Sequence, residues 1–314
     1  MTPEPSRMDA MDAVTVSAPR AAKPVASLAA TCWGTRGSIP SPGHATAHFG
    51  GNTSCLLVRA GERRLIFDAG TGIRGLGQQM IRRGGGTTQA DLFLTHFHWD
   101  HIQGIPFFAP LYDPATDIRI HGAPQGDRDV ESIFRSQLKP IYFPIPFEAL
   151  EARMTFRHID EGPWQDGDVT VSAMRVRHPA NTYGYRIDTK GLSVAYIPDN
   201  ELIGGSYPVE DDWYDRLVEF LGGVDLLFHD AMFTDEEYPS HEGWGHSTFT
   251  QAVDLAQRAG VRHLRFFHHA PDRSDADLLD ILTDMSRRLD ASGSRLELGV
   301  AAEGEELPVQ EQRP

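Results

Sequence analysis

An apolar run that stops on a knot of histidines constrains this chain more than any other feature. Ala90-Asp91-Leu92-Phe93-Leu94 reads as a buried strand, and it leads straight into Thr95-His96-Phe97-His98-Trp99-Asp100-His101. Three imidazoles and one carboxylate crowd into positions 96–101. On an extended strand end, alternate side chains share a face, so His96 and His98 can address one point in space. The turn that follows can carry Asp100 and His101 to a second point a few Å away. Paired neutral imidazoles at one centre, and a carboxylate with an imidazole at the other, match the donor preferences of divalent cations such as zinc.

The same grammar, a strand ending in a potential ligand, recurs in the second half. His178 closes the alternating run Val171–Val176 and is followed by Pro179, which stops the strand. Asp199 follows Leu192–Ile197 within Tyr196-Ile197-Pro198-Asp199-Asn200, and His268 follows Leu264-Arg265-Phe266-Phe267. Side chains at strand ends of a rigid scaffold are a common way to assemble a site. The expected grouping is His96, His98 and His178 on a first metal, and Asp100, His101 and His268 on a second, with Asp199 bridging. His269 competes with His268 for the last position.

The chain has 314 residues, 40% of them hydrophobic, enough to bury a sizeable core. Its 30 glycines and 21 prolines point to a loop-rich layered α/β protein rather than a helical bundle. Strands followed by helices in each half predict two packed sheets with helices outside, in one domain over 29–305. Residues 1–28 read as a disordered tail and 306–314 as a flexible C-terminus. Residues 126–150 break the alternation. Asp129 to Leu138 has a helical pattern, and Pro140 to Phe147 is aromatic and proline-stiffened, either a groove-filling insertion or a wall of the substrate pocket. A short helix is also expected from Gln103 to Leu111, and Arg295–Val300 as the last strand. The two cysteines, Cys32 and Cys55, lie in apolar segments without a CxxC spacing and read as buried reduced thiols. Residues 1–28 lack the apolar core of a signal peptide or membrane span, so a soluble cytoplasmic protein is expected. The net charge of −15 disfavours anionic membranes and a stable nucleic-acid complex. A small anionic substrate remains compatible, because bound cations dominate a site's local field.

The order His-x-His-x-Asp-His, later His, later Asp, final His resembles the metallo-β-lactamase superfamily over residues 29–300. That resemblance implies a four-layer αββα sandwich and two divalent ions activating a hydroxide, zinc first, with manganese or iron as alternatives. Phe67-Asp68-Ala69-Gly70 resembles the family's strand-ending Asp-x-Gly turn, which gives Asp68 a role supporting the metal loops. Three further segments resemble the branch of phosphodiesterases and tRNA 3′-processing endonucleases. They are Gly184-Tyr185-Arg186-Ile187, then Phe228-His229-Asp230-Ala231-Met232-Phe233 with Gly245-His246-Ser247-Thr248, then Phe266-Phe267-His268-His269-Ala270-Pro271. The opening Trp33-Gly34-Thr35-Arg36-Gly37-Ser38 and Gly50-Gly51-Asn52-Thr53-Ser54 resemble a bacterial subgroup of metal-dependent hydrolases.

By resemblance, Asp100 both ligates and orients or deprotonates water, His246 gives the leaving oxygen its proton, and His229 and Asp230 stand behind them. Ser247 and Thr248 cap the following helix. Asp199 stands where zinc β-lactamases carry a cysteine, and His98 where diiron flavoproteins carry a glutamate, which argues against both activities. A Gly/Lys/Arg-rich tRNA-gripping arm is not found in the sequence. The expected function is a phosphodiesterase acting on a small or cyclic nucleotide. Alternatives are lactone, ester or thioester hydrolysis, tRNA 3′ processing, and a non-catalytic metal-binding sensor. A homodimer is implied by resemblance alone. Trp99, Phe107, Phe108, Tyr142, Phe143 and Trp244 either stack a base or build core.

Overall fold

Short runs of β-branched and aromatic residues, punctuated by glycine and proline, build two seven-stranded sheets in a computed structural model that describes residues 28–82 and 88–310. The expected tail, apart from Leu28, and the Gly84-Gly85-Gly86 helix stop lie outside the described residues, as do the last four positions of the expected C-terminal segment. The first half supplies β1 (Leu28–Gly34), β2 (Cys55–Ala60), β3 (Arg63–Phe67), β4 (Thr88–Phe93), β5 (Thr116–Gly122) and β6 (Arg153–His158). The second supplies β7 (Gly162–Asp166), β8 (Val169–Arg175), β9 (Tyr183–Thr189), β10 (Leu192–Ile197), β11 (Leu226–Asp230), β12 (His263–Phe267), β13 (Glu297–Val300) and β14 (Glu306–Val309). The main helices are α1 (Ile73–Arg82), α2 (Trp99–Ile102), α3 (Val130–Gln137), α4 (Trp213–Phe220), α5 (Phe249–Arg258) and α6 (Asp275–Ser292).

One sheet runs β14-β1-β2-β3-β4-β5-β6 and the other β13-β12-β11-β10-β9-β8-β7. Each is antiparallel over three ladders and parallel over three. Their facing surfaces interleave Leu56, Val58, Phe67 and Phe93 with Tyr185, Ile187, Val194 and Tyr196. Burying each such side chain contributes on the order of 1.5–3 kcal/mol. Helices α4, α5 and α6 cover the outer face of the second sheet, and α1 and α3 that of the first. The layers are therefore α, β, β, α.

Two expectations are corrected. The helix expected at Gln103–Leu111 is instead α2, which starts inside the histidine motif, followed by two 3₁₀ turns at Ile105–Phe107 and Ala109–Tyr112. Pro106 and Pro110 lack the N–H that an α-helix interior needs. Glu306–Val309 is not a flexible C-terminus but a strand on the edge of β1, with Leu28 opposite Val309; β1 offers unpaired backbone groups there, which outweighs the segment's weak pattern. Gly162–Asp166 also pairs as a strand, against β8, and delivers Trp164 to the interior edge. Cys32 and Cys55 are free and buried.

Candidate metal centre

Strands β8, β10, β11 and β12 run in one direction, as do β3 and β4, so their exits gather along one rim of the sandwich. Asp68 follows β3, positions 96–101 follow β4, His178 follows β8, Asp199 follows β10, Asp230 ends β11 and His268 follows β12. Chain segments that leave a sheet together can converge, and these do.

His98 Nδ1 and His178 Nε2 lie 3.0 Å apart. The His96 ring stands 4.5 Å from that of His98 and 4.8 Å from that of His178. Beside this triad, Asp100 Oδ2 is 3.2 Å from His101 Nε2 and 3.1 Å from His268 Nε2. Asp199 spans the second group, with Oδ2 at 2.8 Å from His101 Nε2 and Oδ1 at 3.0 Å from His268 Nε2; it also groups with His96. Each of the sets His96/His98/His178, Asp100/His101/His268 and His96/His101/Asp199 brings ligand atoms within 4.8 Å of one another. His269 is not part of them. Its Nε2 donates to the Ala301 carbonyl at 3.0 Å, and its backbone pairs with Thr35.

These residues fit divalent-cation binding on an observation of the site itself. His96 Nε2, His101 Nε2 and Asp199 Oδ2 are buried without a hydrogen-bond partner. Leaving a buried polar atom unpaired costs roughly 1–3 kcal/mol, so three at one point need a common partner. The contact of His101 Nε2 with Asp199 Oδ2 is close but lacks hydrogen-bond alignment, as lone pairs aimed at a shared third body would. An all-imidazole and carboxylate donor set suits zinc and neighbouring divalent metals.

The two groups differ electrostatically. Burial holds His96, His98 and His178 below the usual histidine range, His178 down to about 4, so their lone pairs are free. Burial acts the same way on His101 and His268, but there the carboxylates win. Asp199, Asp100 and Asp68 raise His101 well above its ordinary value, and Asp199 with Asp100 pushes His268 up to about 10. Burial disfavours the Asp199 carboxylate, yet His101 and His268 hold it well below the usual range.

A surrounding layer orients these side chains. Asp68 accepts His101 Nδ1–H at 2.8 Å, the Tyr196 hydroxyl at 3.0 Å, and the Thr95 amide and hydroxyl at 2.8 and 2.9 Å. Thr95 Oγ1 in turn lies 3.0 Å from His96 Nδ1. With Nδ1 occupied, each imidazole turns Nε2 inward, the arrangement that carboxylates behind metal histidines impose. Asp68 takes φ 60° and His268 φ 59°, positions of backbone strain that cost about 1–3 kcal/mol and cluster at functional sites. His178 Nδ1 donates to the Gly245 carbonyl at 3.0 Å, and the Ser38 amide donates to Asp100 Oδ2 at 2.7 Å. A Cβ at Gly245 would meet His178 at 2.2 Å, and one at Gly37 would meet His268 at 2.3 Å. Only glycine allows the backbone that close.

His246 stacks 4.9 Å from His268, its Nδ1 2.8 Å from Asp230 Oδ2. Asp230 also accepts the Asn200 and Met232 amides, which leaves it engaged as a support. His229 is buried, with Nδ1 at the Asp230 carbonyl and Nε2 3.3 Å from the Asn200 side-chain Nδ2. Sequence reasoning did not single out Tyr196 or Glu201, because each occupies an ordinary strand or post-strand position. It also counted Phe108 among possible base stackers. Phe108 is buried in the outer core and Phe143 packs edge-on to Phe107, whereas Trp99 and Trp244 are 72% and 60% exposed. Within the expected insertion, Val130, Phe134 and Leu138 join that core while Ile141 and Tyr142 face outward. Among the described residues no helix is long and apolar enough to cross a membrane.

Comparison with known proteins agrees with this architecture. The family described as "Beta-lactamase superfamily domain" matches residues 63–269. A protein named Ribonuclease Z from Haloferax volcanii is 28% identical, the alignment covering 90% of this chain and 95% of that protein. Among solved structures, the metallo-β-lactamase fold protein YhfI of Bacillus subtilis shares the fold with a TM-score of 0.64 at 20% identity, covering 89% of this chain and 98% of its own. A diphosphatase of the PhnP family does so with a TM-score of 0.61 at 20% identity, over 90% and 100% of the two chains.

Proposed function

This chain belongs to the metallo-β-lactamase superfamily of hydrolases, and from that premise we propose that it is a metal-dependent phosphodiesterase acting on a small nucleotide. The observation that carries the reading is that Asp199 groups with His96 and His101, one from each triad, and that His96 Nε2, His101 Nε2 and Asp199 Oδ2 are buried without a partner. His96, His98 and His178 would hold one divalent cation, and Asp100, His101 and His268 the other, with Asp199 shared. Such a pair, zinc first, supplies Lewis acidity and a water acidified toward neutrality.

The chain's own groups supply the rest. Asp230 holds Nδ1 of His246, leaving Nε2 to pass a proton to the departing oxygen, a role worth about 10²–10⁴ in rate. Asp100, fixed by the Ser38 amide, orients the attacking water. Asp68 keeps His101 in one tautomer. Trp99 follows His98 and Trp244 precedes Gly245 in the chain, and both indoles are exposed and available for a base to stack on.

Substrate size follows from charge. Arg36 binds the carbonyls of Gly50, Ala270 and Arg273; Arg177 binds those of Leu202 and Gly205; Arg273 pairs with Glu237. These guanidinium groups are committed internally rather than arrayed for a polyanion, and the chain carries −15 overall. That favours a small anion. The second reading, tRNA 3′ processing, is favoured by the near full-length similarity to proteins named Ribonuclease Z.

The test is a panel on zinc-loaded protein: bis(p-nitrophenyl) phosphate, cyclic nucleotides, a homoserine lactone, a thioester and a precursor tRNA, with Asp100→Ala as control. Cleavage of cyclic nucleotides ahead of precursor tRNA supports the proposal. Preference for the tRNA selects the second reading, and cleavage of lactone or thioester alone overturns both.

A further inference from the structure

Glu201 lies two residues beyond Asp199 and is fully buried. Its carboxylate meets four donors and each oxygen takes two. Oε1 accepts the Tyr238 hydroxyl at 2.5 Å and the Gly243 amide at 2.8 Å. Oε2 accepts the Tyr207 hydroxyl and, at 2.9 Å, the Gly245 amide. The Gly245 carbonyl is the group that receives His178 Nδ1–H, and the next residue is His246. One buried carboxylate therefore ties down both ends of Gly243-Trp244-Gly245, the segment that orients one proposed ligand and delivers the proposed proton donor.

We propose that Glu201 is a positioning residue, a buckle that locks the 243–246 loop against His178 and sets His246 over His268. The inference rests on the roles proposed for His178 and His246. A carboxylate is the group this place requires. Tyrosine hydroxyls can rotate to accept, but the amides of Gly243 and Gly245 only donate. A glutamine would turn its NH₂ toward one of them, leaving two donors face to face in a buried space. The loop has little intrinsic preference for its shape: Gly243 and Gly245 have φ 86° and 91°, a region glycine leaves readily. Without the buckle, the Gly245 carbonyl is free to swing away from His178.

The experiment compares wild type with Glu201→Gln by zinc titration against a chromophoric chelator, steady-state cleavage of bis(p-nitrophenyl) phosphate, and thermal unfolding. His178→Ala and Asp100→Ala assign the two zinc steps. In Glu201→Gln the step that depends on His178 weakens by roughly 10–100-fold, the usual worth of a group behind a metal ligand, while the other step changes little. Turnover falls with KM nearly constant, because the displaced His246 acts after binding. Tyr207→Phe and Tyr238→Phe keep both amide contacts and give smaller losses in the same step, so the comparison survives if Glu201→Gln does not fold. Wild-type zinc affinity at both steps, or a lowered melting temperature with affinity and turnover per folded molecule unchanged, overturns the inference. Wild-type protein that binds zinc but cleaves no phosphodiester overturns the substrate reading alone, since the zinc comparison still reports on Glu201.

Discussion

Two clusters of buried charge sit at opposite ends of the parallel strands β3, β4 and β5, and they behave differently. At the entry end, Asp91 is buried and accepts from Arg119 at 2.7 Å, Arg63 at 3.1 Å and His121 Nε2 at 3.1 Å. Asp166 takes the remaining reach of Arg63 and Arg119, at 2.8 and 2.9 Å, and Arg119 lies over the Trp164 ring at 5.1 Å. A cavity of about 580 Å³ opens there, lined by Arg63, Asp91, Arg119 and Asp166. At the exit end the histidines and aspartates leave atoms without partners. Concavity and charge alone would favour the entry end. Unmatched donors and acceptors mark the exit end instead, because a network complete in itself asks nothing of a ligand, whereas an incomplete one does.

Substitutions can break that contrast, and the largest effect belongs to Asp199→Ala. It removes the carboxylate common to both triads, so zinc measured by elemental analysis falls from two ions per chain to one or fewer. Turnover drops by about 10³-fold or more, the scale of losing a main electrostatic contact at the reacting centre. Two retained ions would refute the bridge. His246→Ala comes next: metal content stays intact while turnover of a substrate with a poor leaving group falls by about 10²–10⁴. Undiminished cleavage removes His246 from the proton transfer.

The smallest effect on activity, and the sharpest contrast, is expected from Asp91→Asn. Two guanidinium groups lose their shared counter-charge; since each is about one-third exposed, the loss is discounted to about 2–3 kcal/mol of unfolding free energy. Turnover per folded molecule stays at the wild-type level. Burial disfavours the Asp91 carboxylate, but hydrogen bonds from His121 and Arg119 outweigh it and lower its native pKa below the usual value. A group depressed in the folded state stabilises above its unfolded pKa, about 3.9, and loses that contribution as pH falls through the native value. The stability gap between wild type and Asp91→Asn, read by denaturant unfolding, therefore narrows below about pH 4. A gap that stays constant into strong acid shows that the charge of Asp91 contributes nothing.

Much of this was legible along the chain. The apolar run Leu264–Phe267 lies in β12, which starts one residue earlier, and the expected alternating run from Val171 lies largely in β8, where burial alternates over Val171-Ser172-Ala173. The stretch after β4 announced a metal-like cluster without help from the rest of the sequence. Less was legible where pattern was weak. Glu306–Val309 carries too little alternation to stand out, and its strand state comes from a vacant edge on β1, 275 residues away in sequence at the Thr31–Glu306 pair. Asp68 had a supporting role only through the resemblance of its turn; which groups its carboxylate gathers, from Thr95, His101 and Tyr196, appears only in the fold.

Residue chemistry and strand periodicity thus determined the layers, the strand exits and the kinds of donor present, because those depend on local spacing and burial. Position in space decided the rest. His268 and His269 are equivalent on paper; they separate only because His268 bends into a left-handed backbone and points at Asp100 and Asp199, while the next residue pairs with Thr35. Glu201 looks like any glutamate until the fold closes four donors around it. Contacts between distant segments exist only after folding has brought them together, and no local pattern encodes which atom will be left without a partner.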